Sequence, residues 1–222
     1  MTPAFNEVVA QWITLLATLM LVLQLFMVVQ KELATNIRLF ALQSLLLAFV
    51  ASLVAASTNA THVFFAAALT VGGKVLFLPW YLQRLVRQVH ISLEAKPLLN
   101  APLAMLFCGG LVLLGYVVAR PFMSTEQPLN NVLGVAISQV LAGLFMMINR
   151  RKAITQVLAL LAAENGIFLA AISLTTYGMP LVVELGIFFD LFIAVMVLGI
   201  LVYRIRETFS TIDVGRLNRL KG

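Results

Sequence analysis

The sequence predicts an all-α, polytopic membrane protein of seven transmembrane helices, with the N-terminus outside and the C-terminus cytoplasmic. Three observations predict it. Of 222 residues, 62% are hydrophobic and 11% charged, against about 45–50% and about 25% in soluble domains. Several segments exceed the ~20 apolar residues that a helix needs to cross the hydrocarbon core, and no strand-like alternation suggests a barrel. The basic residues are segregated along the chain, as a bundle of alternating orientation requires.

The spans fall at about residues 8–30, 37–57, 61–84, 100–119, 130–149, 154–175 and 179–203. The first lacks a basic flank and a small-residue cleavage site, so it is expected to be retained. Connections after spans 1, 3, 5 and 7 carry Lys31 and Arg38; Arg84, Arg87 and Lys96; Arg150, Arg151 and Lys152; and Arg204, Arg206, Arg216, Arg219 and Lys221. Opposite them stands only Arg120, and Lys74 lies within a span. The positive-inside rule then sets the orientation. Trp12, Tyr116 and Tyr177 fall near outer ends and Trp80, Tyr81 and Tyr203 near inner ends, where amphipathic rings sit at the headgroups. Ordinary packing explains each of them equally well.

The net charge of +6 is accounted for by this segregation, so no nucleic-acid partner is implied. One cysteine, Cys108, supports neither a disulfide framework nor a thiolate metal centre on this chain. Residues 85–99 form a basic connector that either lies along the headgroups or is simply solvated. The organisation divides into residues 1–97 with three spans and the connector, 98–128 with a linking helix, 129–206 with three more spans, and a tail at 207–222. Spans 1–3 and 5–7 can also be set against each other as a parallel internal repeat, with Gln43 against Glu164 and Lys74 against Asp190; chance alignment of apolar helices is the alternative.

Four ionisable residues sit inside spans: Lys74, Glu164, Glu184 and Asp190. Each Lys or Asp at a helix centre costs about 2.5–3.5 kcal/mol, against the ~0.3–0.6 that an apolar residue returns. Lys74, Glu164 and Asp190 share a depth near the midplane, whereas Glu184 is close to the outer end of span 7. Glu184 and Asp190 point about 120° apart around their helix and lie roughly 9 Å apart along it, which suits a route better than one pocket. Burial disfavours the charged form of a side chain, so groups at this depth can exchange protons near neutral pH, and a charge at one site alters proton affinity at the next. Gln43, Gln139, Ser44, Asn165 and Thr70 can hold bridging waters, or can bond neighbouring helices. Gly72 and Gly73 beside Lys74, and Gly166 beside Glu164, permit either local unwinding or close helix approach, and Pro79 adds a kink. The charges either handle ions or form a structural pair such as Lys74 with Glu164.

The stretches "GGKVLFLP", "AENGIFLA", "VELGIFFDLFIAV" and "STIDVGRLNRLKG" occur in an order that resembles the hydrogenase-4 component E family of formate-hydrogenlyase-type membrane complexes. Spans 5–7 are in turn similar to the K subunit of respiratory complex I. This resemblance implies that Glu164 matches the first of that subunit's two membrane carboxylates. Asp190 matches the second, with Glu184 as the alternative. It further implies a non-redox subunit with no catalytic residue, metal site or cofactor of its own. The implied partners are antiporter-like membrane subunits, a complex I H-like subunit and a peripheral hydrogenase-type module carrying iron–sulfur clusters and a nickel–iron centre. The expected setting is the cytoplasmic (inner) membrane of a bacterium or archaeon. The function expected is proton relay that couples electron transfer to ion translocation. An autonomous cation or small-solute transporter and a structural adaptor are the alternatives.

Overall fold

The computed structural model describes residues 7–58, 67, 68, 70–89, 97–122 and 129–174, all within one compact unit, Met1–Ile187. In chain order these form α1 (Glu7–Val29), α2 (Leu33–Thr58), a π-helix (Val71–Phe77) continuous with α3 (Leu78–Val89), and α4 (Ala101–Ala119), which ends in a 3-10 turn (Arg120–Phe122). Then come α5 (Asn130–Asn149) and α6 (Ala153–Leu174). Among the described residues there is no strand, and five helices, α1, α2, α4, α5 and α6, are long and apolar enough to cross a membrane. The π-helix and the start of α3 fall in the C-terminal part of the third predicted span, and α3 runs past its predicted end. The seventh, residues 179–203, lies outside the described residues, as does the tail.

Local chemistry explains the boundaries. Gln30 turns the chain between α1 and α2, its Oε1 accepting from the Lys31 and Glu32 amides at 2.9 and 3.4 Å. Asn100 precedes α4 in an extended conformation and Pro102 follows in the first turn, where its missing N–H is not needed. The π-helix has its own cause. Pro79 has no N–H to donate, and its ring crowds the carbonyl four residues back. The Leu78 amide bonds instead to the Gly73 carbonyl, five residues back, and the wider turn accommodates the ring. A Cβ placed on Gly72 or Gly73 would meet nothing within 4 Å among the described residues. Among the described residues, then, no close approach is seen at these glycines, which lie in the π-helical segment.

Among the described residues four helices form the centre: α1 packs on α2 and α5, and α6 packs on the same two. The π-helix and α3 lie on α2, and α4 lies on α5 and α1. At the α5–α6 contact small residues let the backbones meet, as membrane helices require when apolar burial alone gives no preference for protein over lipid. A Cβ on Gly166 would come within 2.9 Å of the Val140 backbone nitrogen, and one on Gly143 within 2.9 Å of the Ala163 Cα.

The core is divided into two apolar clusters. One gathers Ile13, Met20, Leu47, Val50, Ala136 and Phe168; the other gathers Met27, Phe40, Leu82, Ala142, Met146 and Leu158. On every helix that contributes to both, the residues between the two clusters include buried polar ones: Gln24 on α1, Gln43 and Ser44 on α2, Ser138 and Gln139 on α5, Glu164 and Asn165 on α6. Lys74 lies between Ala67 and Leu78 in the same way. The bundle therefore carries one polar layer at mid-span.

Candidate functional site: a charged pair in a buried polar layer

Lys74 and Glu164 face each other across that layer. Lys74 Nζ lies 3.4 Å from Glu164 Oε2, and the two residues are 5% and 3% exposed. Opposite charges in an apolar interior compensate each other, and truncating one partner leaves the other to be stabilised by the polar groups around it. The π-helix places Lys74 on the inward side, where it also donates to Asn165 Oδ1 at 3.3 Å.

From Asn165 the contacts run across the bundle. Its Nδ2 donates to Ser44 Oγ at 3.0 Å and to Gln43 Oε1 at 3.3 Å. Gln43 Nε2 donates to the Met20 carbonyl at 3.2 Å and to Gln24 Oε1 at 3.1 Å. Gln24 Nε2 lies 4.0 Å from Met146 Sδ, a weak acceptor. Gln139 stands apart: its Nε2 reaches the Ala162 carbonyl at 3.4 Å, while its buried Oε1 has no hydrogen-bond partner among the described residues.

The structure thus brings together Lys74, Glu164, Asn165 and Gln43 from the sequence-derived set. Gly166 serves close packing rather than unwinding. Glu184 and Asp190 lie outside the described residues. Two participants were missed. Gln24 is a lone amide in an apolar span, the same signal that singled out Gln43. Arg150 was counted only as a loop cation, but it is 2% exposed. Its Nη2 donates to the Met27, Val28 and Gln30 carbonyls at 3.0, 2.9 and 2.6 Å. The Met27 and Val28 carbonyls belong to the last turn of α1, which lacks intrahelical partners, and that of Gln30, just past it, also accepts from Asn36 Nδ2 at 3.2 Å, so a cation at the α5–α6 junction helps cap this end.

A bundle of spanning helices around a mid-depth charged layer defines a multi-pass membrane protein. The uncharacterized protein Rv0085 of Mycobacterium tuberculosis is 32% identical over 194 residues, covering 86% of this chain and 88% of that protein. Hydrogenase-4 component E of Escherichia coli (strain K12) is 29% identical over 208 residues, covering 93% of this chain and 96% of its own. The Shigella flexneri protein of that name matches to the same extent. The chain belongs to the hydrogenase-4 component E family. It matches no family model, and no solved structure matches it.

Proposed function

We propose that this protein is a non-redox subunit in the membrane arm of a hydrogenase-type complex, and that Glu164 carries protons there under the influence of Lys74. The burial of the Lys74–Glu164 pair within a polar layer is the observation that carries this reading. A carboxylate beside a fixed cation in a low-dielectric interior responds strongly to any charge arriving nearby. Gln139 Oε1 is a natural seat for a bridging water, because an unpaired buried carbonyl costs about 1–3 kcal/mol. Similarity to hydrogenase-4 component E supports membership of such a complex. The rest of the proposed arrangement is seven spans with the N-terminus outside and the C-terminus cytoplasmic, in a cytoplasmic membrane. Asp190, or Glu184, is the second carboxylate. Neighbours are antiporter-like and complex I H-like subunits, with metal clusters confined to a peripheral redox module. Glu164→Gln in the intact complex, reconstituted in vesicles, is expected to preserve assembly and lower proton movement per electron several-fold. Unchanged movement removes the relay role.

The 3.4 Å contact favours a second reading, in which the pair is purely structural. In that case Lys74→Met together with Glu164→Gln restores stability and leaves ion movement untouched, whereas Lys74→Met alone costs about 3–5 kcal/mol in either reading.

A further inference from the structure

We propose that Asn165, Gln43 and Gln24 form a one-way ladder of amide dipoles that holds Lys74 as a fixed cation, and that this ladder is not itself a proton path. The inference rests on the reading of Glu164 as the proton-carrying group. Its basis is what each group is able to donate and accept.

The lysine ammonium can only donate, so Asn165 must present its oxygen to Lys74, and the 3.3 Å contact is to Oδ1. Asn165 then has only its nitrogen to offer the next helix, and both of its hydrogens are used, on Ser44 Oγ and Gln43 Oε1. Gln43 is fixed from the other side as well. Its nitrogen faces the Met20 carbonyl, which can only accept, and its second hydrogen goes to Gln24 Oε1. Neither end can be reversed without placing donor against donor or acceptor against acceptor. All three amide oxygens are therefore turned toward the Lys74 side of the chain of contacts, and bonds aligned head to tail polarise one another in a low-dielectric interior.

Two consequences follow for the pair. Carboxamides have no ionisable proton at neutral pH, so three in series are a poor conduit. They are instead a well-placed source of negative potential. When Glu164 is ionised, Lys74 has a full counter-charge; when Glu164 is protonated, the oxygen ends of the ladder still face the ammonium. The Asn165 oxygen therefore keeps Lys74 in place while the state of Glu164 changes. Asn165, Gln43 and Gln24 are thus positioning residues that act through Lys74. The far rung is also tied to the inner architecture, since Gln24 lies one turn before Val28, whose carbonyl Arg150 holds.

The test uses the intact complex with Gln24→Met and Gln43→Met, each in the wild-type and in a Lys74→Met background. Expected is a graded loss of proton movement per electron, smaller for Gln24→Met than for Gln43→Met and both smaller than for Glu164→Gln, with no further loss from Gln24→Met once Lys74 is gone. Rungs that matter as much as Glu164, or that matter equally without Lys74, or that do not matter at all, overturn the ladder. If Glu164→Gln itself leaves movement unchanged, the relay reading fails. The ladder is then judged by melting temperature alone: Gln24→Met should lower it by a few degrees beside Lys74 and clearly less in the Lys74→Met background, and equal losses overturn it.

Discussion

Arg150 shows how one side chain changes meaning between sequence and structure. In the run Arg150, Arg151 and Lys152 it reads as one of three interfacial cations, and Arg151 is indeed exposed. Arg150 is instead folded inward over the end of α1, where a guanidinium can meet several carbonyls at once. Arg150→Met should destabilise the protein by about 1.5–3 kcal/mol, the usual worth of hydrogen bonds to a charged group. The loss should appear as faster amide exchange in the last turn of α1. Lysine at this position should recover only part of it, because an ammonium is more strongly hydrated than a guanidinium and so costs more to bury. At this scale the sequence revealed residue type and depth for Lys74 and Glu164. It did not reveal partners, because a hydrogen bond between helices 91 residues apart in sequence, as from Lys74 to Asn165, leaves no periodic trace.

At the scale of elements, glycines with the same local pattern do different work. Gly166 is pressed against Val140 and Ala136 of α5, whereas Gly72 and Gly73 meet nothing near the Cβ position among the described residues. Gly166→Val is accordingly expected to separate α5 from α6 and cost about 1–3 kcal/mol or more by overpacking, while Gly72→Ala should be tolerated. Thermal unfolding of the two purified variants checks this directly, and comparable losses would contradict it. The possibility of unwinding near Gly72, Gly73 and Pro79 was legible, because proline removes a donor whatever its surroundings. Which glycines pack and which unwind was not legible, since that depends on the neighbour opposite.

At the scale of the whole molecule, α4 is the most exposed of the described spanning helices. It buries far less of its length than α6 does, and Leu106 and Leu113 are 74% and 70% exposed. Spin labels at Leu106 and Leu113 should therefore report a lipid-like environment when the chain is reconstituted alone, whereas Cys108, fully buried, should resist thiol reagents in the folded protein. Reactive Cys108 beside shielded 106 and 113 labels would reverse the placement of this helix. The sequence by itself determined that the chain is helical, that it belongs in a membrane, and that Lys74 and Glu164 lie at mid-span. Those properties are sums over consecutive residues, and hydrocarbon thickness converts them into length. Only the tertiary structure decided the lateral order of the helices, and with it which polar groups share one layer. Lipid tails and a protein interior are equally apolar, so hydropathy cannot say which face of a helix meets which; close backbone approach and paired hydrogen-bonding groups make that choice.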